Sequence, residues 1–222
     1  MDVKTQYNQI GKAYVDSKDT FFSGREDWGD KLILKNMGEV AGKTILDMGC
    51  GDGTGVLKYQ KMGARVIGVD PSQFMIDEAR KKLGAEAELF LGDYEAIPLS
   101  DNSVDIIVGR YSIHYLKDFT KAYPEISRVL KPGGFFVLLT AHPTGDRFMP
   151  KEKNDDGEEL VCVPLYGGKV TVKYRVHPLA HYFSPEFFKL FNLDSFDEFM
   201  QAETDQNIVM PTAMVIKGVK KK

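Results

Sequence analysis

Short apolar runs, each ending at a glycine or a polar residue, recur after residue 44 and predict β-strands. They occupy residues 45–48, 64–69, 87–91, 104–108 and 135–141. Between these runs apolar residues recur every three or four positions, as Met75, Ala79 and Leu83 do, which predicts helices. Strands that alternate with helices are typical of a parallel sheet with helices packed against it. The pattern therefore predicts an α/β fold.

The N-terminal part of the chain has a pattern of its own. Tyr7 and Tyr14 lie among apolar positions with helix-like spacing, which predicts a helix within residues 2–17. Residues 19–29 are predicted to form a loop, and residues 31–40 a second helix.

From residue 143 onwards the alternation of strands and helices gives way to another pattern. Residues 145–159 are polar and predict a mobile loop. Apolar runs at 160–165 and 170–176 flank Tyr166-Gly167-Gly168-Lys169, and a turn of this kind between two such runs predicts a β-hairpin. We interpret this hairpin as an insertion in the α/β pattern.

The C-terminal part returns to simpler signals. Ser184 followed by Pro185 is typical of a helix start, because serine caps the first turn and proline fits its first position. The helix is predicted to carry four apolar residues, Phe187, Phe188, Leu190 and Phe191. Residues 212–219 fit a last, antiparallel edge strand.

Composition limits the class of protein. A chain of 222 residues with 43% hydrophobic and 27% charged residues is expected to form one α/β domain. Its net charge of −3 argues against a nucleic-acid-binding protein. No apolar run is long enough to cross a membrane, and no signal-peptide pattern is visible. Cys50 and Cys162 have neither metal-type nor redox-type spacing, so we expect a reduced, cytoplasmic protein.

A glycine-rich loop follows the first predicted strand, in the run Asp47-Met48-Gly49-Cys50-Gly51-Asp52-Gly53-Thr54-Gly55. A strand, a glycine turn and a helix start together direct backbone N–H groups at a ligand. A dinucleotide fingerprint starting at Gly49 would need a glycine where Thr54 stands, which disfavours a nicotinamide-dependent oxidoreductase. The carboxylates of Asp47 and Asp52 would repel a pyrophosphate and attract an ammonium or sulfonium group.

Asp70 ends the second predicted strand, where a carboxylate can bind both hydroxyls of a ribose. A ligand that combines a ribose with a cationic amino-acid portion is S-adenosylmethionine. The sequence therefore points to this cofactor.

Further stretches follow in a fixed order: Pro71-Ser72-Gln73-Phe74-Met75, Leu91-Gly92-Asp93-Tyr94, the run from Val104 to His114-Tyr115, and Arg128-Val129-Leu130-Lys131-Pro132-Gly133-Gly134. With these stretches and the glycine loop, roughly residues 40 to 142 resemble the class I S-adenosylmethionine-dependent methyltransferases, in particular the small-molecule group called type 11. The resemblance implies a doubly wound, seven-stranded, mostly parallel Rossmann-like sheet. Together with the patterns at both ends, we expect one domain over residues 1–222, with an N-terminal lid segment at 1–30 and a loop and hairpin insertion at 144–183.

The resemblance also implies site residues. Those expected to bind the cofactor are Tyr7, Tyr14, Asp47, Gly49, Cys50, Gly51, Gly53, Asp70, Pro71, Ser72, Met75, Gly92, Asp93, Tyr94 and Arg110. Among them, Met75 would pack on the adenine ring or simply fill the core, and Asp93 would accept from the adenine amine or cap a turn. Tyr7 and Tyr14 resemble a segment that closes over the cofactor. No metal site is expected.

The segment after the fourth predicted strand is where the methyl group and its acceptor should meet. His114 and Tyr111 are therefore the catalytic candidates, with His114 as a general base because its ordinary pKa is near neutrality. A packing role for His114 is the alternative. On the acceptor side, the insertion and its surroundings supply His142, His177, His181, Tyr166, Tyr174 and Tyr182.

The expected activity is methyl transfer from S-adenosylmethionine to a small-molecule acceptor whose identity the sequence does not give. Nucleic acid and membrane are not expected as partners, and self-association as a homodimer is left open. An RNA or protein methyltransferase is disfavoured by the acidic balance and by Gly109-Arg110-Tyr111-Ser112, which stands where such enzymes carry Asn-Pro-Pro-Tyr. A catalytically silent, cofactor-binding regulatory subunit stays open.

Overall fold

A seven-stranded sheet forms the centre of the computed structural model, which describes residues 2–23, 28–203 and 209–222. Its strands are β1 (Thr44–Met48), β2 (Arg65–Asp70), β3 (Leu89–Leu91), β4 (Val104–Arg110), β5 (Leu130–Ala141), β9 (Phe191–Glu203) and β10 (Val209–Lys220), in the order β3-β2-β1-β4-β5-β10-β9. The first five are parallel, whereas β10 and β9 are antiparallel. The predicted doubly wound, mostly parallel sheet is confirmed.

Helices cover both faces of this sheet. They are α1 (Val3–Phe22), α2 (Trp28–Met37), α3 (Thr54–Lys61), α4 (Gln73–Leu83), α5 (Phe119–Val129), α6 (Pro143–Asp146), α7 (Leu179–Tyr182) and α8 (Pro185–Leu190). The central strands are buried on both faces, as Ile45, Leu46 and Ile107 illustrate. That is why their sequences are continuous apolar runs rather than alternating ones. None of the helices in the described ranges is both long and apolar enough to cross a membrane.

The inserted segment forms a second, three-stranded antiparallel sheet of β6 (Lys151–Lys153), β7 (Glu159–Leu165) and β8 (Val170–Tyr174). Strands β7 and β8 are the predicted hairpin, and its turn is closed by the Gly168 N–H donating to Leu165 O at 3.0 Å. The expectation of a plain loop over 145–159 was wrong, because α6 ends and β6 lies within that range.

The last strand was misplaced by the sequence reasoning. Residues 212–219 are antiparallel, as expected, but they lie inside the sheet between β5 and β9, so the prediction of an edge strand was wrong. The true edge strand, β9, was missed, and Phe191 starts it instead of continuing the preceding helix. Its polar residues, among them Asp194 and Asp197, gave no apolar run, because an edge strand needs only one buried face.

The N-terminal helix is longer than its pattern indicated. It continues through Phe22, and α2 begins at Trp28, so the predicted loop over 19–29 was wrong at both of its described ends. Residues 24–27 of that predicted loop lie outside the described residues.

The strand order reverses between β1 and β4, since the chain builds β1, β2 and β3 in one direction and then returns to β4. At such a switch point the loops after two neighbouring strands diverge and leave a crevice at their carboxyl ends. This crevice is where the glycine-rich loop lies.

Candidate active site

A cavity of about 270 Å³ opens at this switch point. Its base is formed by segments after β1, β2 and β4, and it is covered by α1 and by strand β8. Of the residues expected to bind a cofactor, those that line it are Tyr7, Tyr14, Gly49, Gly51, Asp70, Pro71, Met75, Gly92, Asp93, Tyr94 and Arg110. Most of the residues that the sequence predicted to bind a cofactor therefore lie on the cavity wall.

The glycine loop has the backbone that its sequence requires. Gly49, Gly51 and Gly53 all have positive φ, at 77°, 53° and 78°. A Cβ on Gly49 would lie 2.5 Å from Ser112 Cβ, and one on Gly53 would lie 2.7 Å from Leu83 Cδ1. At Gly51 nothing lies within 4 Å of the Cβ position, so this part of the loop faces open space. Only glycine combines this backbone with so close an approach.

Asp70 is the best-defined polar group of the cavity. Its Oδ2 accepts the Gly51 N–H and its Oδ1 accepts the Ser72 N–H, both at 2.9 Å. Burial raises the pKa of this carboxyl to about 6, against the lowering effect of the two N–H groups. Each carboxylate oxygen has a second lone pair, so the fixed side chain can still accept hydrogen bonds from a ligand.

Four predicted cofactor residues do not line the cavity: Asp47, Cys50, Gly53 and Ser72. Asp47 lies behind the loop, where burial and then the nearby Asp70 raise its pKa to about 7. A Cβ on Gly55 would come within 2.6 Å of Asp47 Oδ2, so glycine is needed at the start of α3 to leave room for this carboxyl. Ser72 caps α4 by accepting the Met75 N–H.

Asp52 does not attract a cationic ligand as the sequence reasoning expected. Its carboxylate binds Lys18 of α1, with Lys18 Nζ 2.5 Å from Asp52 Oδ1, and also Lys82 of α4. Burial opposes its charge, but the two lysines outweigh burial and lower its pKa to about 2. That charge therefore fastens two helices to the loop, and it does not face the cavity.

Helix α1 forms one cover of the cavity and is fixed at several points. The Tyr7 and Tyr115 hydroxyl oxygens are 3.0 Å apart, and Gln6 Oε1 accepts the Lys173 N–H of β8 at 2.8 Å. Asn8 Oδ1 lies 2.7 Å from Ser72 Oγ at the start of α4. Helix α1 therefore contacts both the insertion and the core, and it covers the side of the cavity opposite the ends of the strands.

His114, the predicted general base, does not line the cavity. Its side chain is only 3% exposed, and its Nδ1 lies 3.0 Å from Thr140 Oγ1. Its ring packs between those of Tyr115 and Tyr174, at centroid distances of 4.4 and 4.3 Å. Burial lowers the pKa of His114 to about 3. This geometry contradicts a role as proton acceptor and favours packing.

Tyr111, the other catalytic candidate, does line the cavity, and its φ of 49° is unusual for a residue other than glycine. Such strained backbone is concentrated at functional sites. It follows β4, so the structure places Tyr111 at the carboxyl end of that strand.

The insertion contributes one wall of the cavity through Leu160, Lys173, Tyr174 and Arg175. Tyr174 is the only predicted acceptor-side residue in that wall; those that lie elsewhere are His142, His177, His181, Tyr166 and Tyr182. His177 and His181 face each other, with their Nδ1 atoms 3.2 Å apart. Among the described residues, no group of three or more His, Cys, Asp or Glu side chains is arranged to hold a metal ion.

Sequence reasoning did not single out several residues of the cavity wall, among them Tyr115 and Leu116. The alternation of Val170, Val172 and Tyr174 could have revealed which face of β8 is buried, since these three residues are all buried. Leu160 begins the hairpin that we expected on the acceptor side, and it does line the cavity.

Comparison with known proteins gives a consistent result. Residues 46–138 match the sequence profile of a methyltransferase domain. The chain is 34% identical over 150 residues to a demethylmenaquinone methyltransferase of Lactococcus lactis, which covers 64% of this chain and 60% of the relative. It is 31% identical over 169 residues to a malonyl-[acyl-carrier protein] O-methyltransferase of Yersinia pestis, covering 75% and 62%. The chain thus spans about six tenths of the length of these curated relatives.

A solved structure extends the likeness beyond the matched domain. The S-adenosylmethionine-dependent methyltransferase from Mesorhizobium loti superposes with a TM-score of 0.65 at 22% identity, over 86% of this chain and 97% of that one. At an identity this low, the superposition shows a shared fold and nothing more.

Proposed function

We propose that this protein transfers a methyl group from S-adenosylmethionine to a small-molecule acceptor, in line with the match of residues 46–138 to a methyltransferase domain. The observation that carries the proposal is the carboxylate of Asp70, fixed by two backbone N–H groups beside the glycine loop at the cavity wall. A group held in this way is suited to bind the two hydroxyls of a ribose.

The other cavity residues fit the same cofactor. Met75 and Pro71 offer apolar surface for the adenine ring beside Asp70. The side chain of Asp93 has one oxygen, Oδ1, that accepts the N–H groups of Glu95 and Ala96, which leaves Oδ2 for the adenine amine. The glycine loop, which lines the cavity at Gly49 and Gly51, would receive the amino-acid portion.

The cofactor supplies a sulfonium-activated methyl group, so the protein's task is chiefly orientation. Asp70 and the loop would fix the cofactor along the carboxyl edge of the sheet, while Tyr7 and Tyr14 on α1 would cover it. Closure of this cover would exclude water from the site. The wall from β8 and the segment after β4 would hold the acceptor opposite the methyl group.

A transfer assay tests this proposal. The protein is incubated with S-adenosylmethionine labelled in its methyl group and with thiols, phenols, amines and carboxylic acids as acceptors. We expect label in the organic product of at least one acceptor class. Cofactor binding without transfer to any small molecule would contradict the proposal and would favour the silent subunit or a macromolecular acceptor.

A further inference from the structure

A buried carboxyl group behind the cavity has no role in the cofactor site described above. Asp146 ends α6, directly after β5, and is only 6% exposed. Its Oδ1 accepts the hydroxyl of Tyr174 at 2.8 Å. Among the described residues, no lysine, arginine or histidine forms an ion pair with it. A buried carboxylate without a cation is costly, and such groups are concentrated at functional sites.

Tyr174 lies between this carboxyl group and the cavity. It lines the cavity wall, whereas Asp146 does not. The ring of Tyr174 packs on that of His114, which lies in the segment after β4. Asp146, the hydrogen-bond partner of Tyr174, lies in the segment after β5. The pair is therefore at the carboxyl ends of the two strands that flank the expected transfer site. The cavity wall also contains the apolar or aromatic side chains of Tyr115, Leu116 and Leu160, as well as Lys173 and Arg175 on either side of Tyr174 in the chain.

We propose that Tyr174, with Asp146 behind it, receives the proton of a hydroxyl group on a flat, aromatic acceptor. The inference rests on the proposed methyl transfer and names the acceptor class for the same site. The flat rings of Tyr115 and Tyr174, with the side chain of Leu160, suit such a molecule. Tyr174 would be a catalytic residue that touches the acceptor, and Asp146 a positioning residue that acts through it.

The proposed step balances in protons and electrons. The acceptor oxygen forms a bond to the methyl carbon, and the bond between that carbon and sulfur breaks with its electron pair left on sulfur. The acceptor proton passes to Tyr174 Oη, while the proton of Tyr174 passes to Asp146 Oδ1 along their 2.8 Å hydrogen bond. Asp146 then returns the proton to water once the product leaves.

The charge of the Tyr174–Asp146 pair depends on the titratable groups around it. The titratable groups that face it are His114, Tyr115 and Tyr182. Burial raises the pKa values of both tyrosines and lowers that of His114, so all three are uncharged near neutral pH. Burial also raises the pKa of Asp146 to about 6, so its carboxylate is available as proton acceptor above that pH.

A fluorescent acid tests the proposal without methyl transfer. When excited, 2-naphthol becomes a much stronger acid, and its neutral and ionised forms emit at different wavelengths. The probe is added to protein loaded with S-adenosylhomocysteine. We expect the bound probe to emit largely as naphtholate, and the naphtholate-to-naphthol ratio to fall at least fivefold in Tyr174→Phe and in Asp146→Asn. Asp146→Asn keeps an acceptor for Tyr174 and so guards against misfolding as the cause. Tyr166→Phe, a tyrosine of the same hairpin outside the cavity, should leave the ratio unchanged.

Two results would overturn the inference. Either 2-naphthol fails to bind the loaded protein, or its emission ratio is the same in wild type, Tyr174→Phe and Asp146→Asn. Failure of the proposed function is a separate result, because it would show either as a lack of S-adenosylhomocysteine binding before the probe is added or as a lack of labelled product in the transfer assay, and neither readout depends on the emission ratio.

Discussion

At the scale of single residues, the proposed cofactor site depends most on Asp70, which lines the cavity. Two backbone N–H groups fix its orientation, but each of its oxygens keeps a lone pair for a ligand. Charge-assisted hydrogen bonds of this kind are worth roughly 1.5–3 kcal/mol each. Their loss should therefore be visible in the affinity for the cofactor while the fold stays intact.

We expect Asp70→Asn to weaken S-adenosylhomocysteine binding at least tenfold. The amide carries no charge. Its NH₂ group would also face one of the two backbone N–H groups that donate to Asp70 in the wild-type protein, so two donors would oppose each other. Isothermal titration calorimetry measures the change. The control is Asp77→Asn, an exposed acid on α4 whose loss should leave affinity unchanged. An unaltered dissociation constant in Asp70→Asn would mean that the ribose binds elsewhere.

Affinity should also depend on pH through the same residue. Since burial raises the pKa of Asp70 to about 6, acidification through that pH protonates the carboxyl and removes a charged acceptor. We expect S-adenosylhomocysteine affinity to fall as pH drops from 7 to 5, and this dependence to be weaker in Asp70→Asn. Calorimetry over that range measures it; identical pH profiles in both proteins would contradict the assignment.

The same raised pKa values affect stability with the opposite sign. A carboxyl whose pKa is higher in the folded state takes up protons on folding, so its ionisation costs stability as pH rises towards the folded pKa. The pKa values of Asp70, Asp146 and Asp47 are raised to about 6, 6 and 7. Their combined effect should lower the free energy of unfolding between pH 4 and 7. Urea titrations should show this decline flattened in Asp146→Asn, and an equal slope in both proteins would contradict it.

Single residues also show where sequence reasoning succeeds. Glycine spacing and strand-end acids located Gly49, Gly51 and Asp70, because local backbone geometry sets their positions. The sequence did not predict the contacts of Asp52 and His114. Asp52 binds Lys18 and Lys82, and His114 lies beside Thr140, and these partners are distant in the sequence. A motif identifies a charge or a ring, but its partners decide what it does.

At the scale of elements, α1 is the part whose attachment matters most. It is held over the cavity by the ion pair between Lys18 and Asp52 as well as by Tyr7 and Gln6. Lys18 is mostly buried, so its pair is less screened than a surface pair. Loss of this contact should loosen the cover and leave the sheet unaffected.

We therefore expect Lys18→Met to speed proteolytic cleavage within α1 severalfold in the ligand-free protein, with partial recovery when S-adenosylhomocysteine is added. Timed digestion followed by mass spectrometry measures it. Lys12→Met is a matched control, because Lys12 forms an ion pair with Asp16 on the exposed surface of the same helix. Equal cleavage rates for the two variants would show that the ion pair does not hold the cover.

Elements also differ in how well the sequence predicts them. The buried strands β1, β2 and β4 were found because both of their faces are apolar. Strand β9 was missed because most of its side chains are polar, and its place at the edge depends on pairing with β10, which no local signal specifies. The hairpin of β7 and β8 was found because its turn is encoded locally by Gly167 and Gly168.

At the scale of the whole molecule, the cavity has two halves from different parts of the chain. The segments that follow the parallel strands supply the half that we propose binds the cofactor, while α1 and the insertion together supply the cover. These two are joined directly, since Gln6 binds the backbone of Lys173 and the ring of Tyr14 packs on Tyr166 at 5.4 Å. The cover should therefore respond to ligand as one unit.

Hydrogen exchange can show this joint response. On addition of S-adenosylhomocysteine we expect slower exchange in α1 and in β7 and β8 together, with little change in the described parts of β9 and β10. Protection confined to the glycine loop would contradict a shared cover.

We propose that the cavity at the switch point binds S-adenosylmethionine. The most direct test is to titrate the ligand-free protein with S-adenosylhomocysteine and, separately, with NAD. We expect saturable, one-to-one heat for S-adenosylhomocysteine and none for NAD, because Thr54 stands where the dinucleotide fingerprint needs its third glycine. Binding of NAD in the micromolar range with no binding of S-adenosylhomocysteine would contradict the claim.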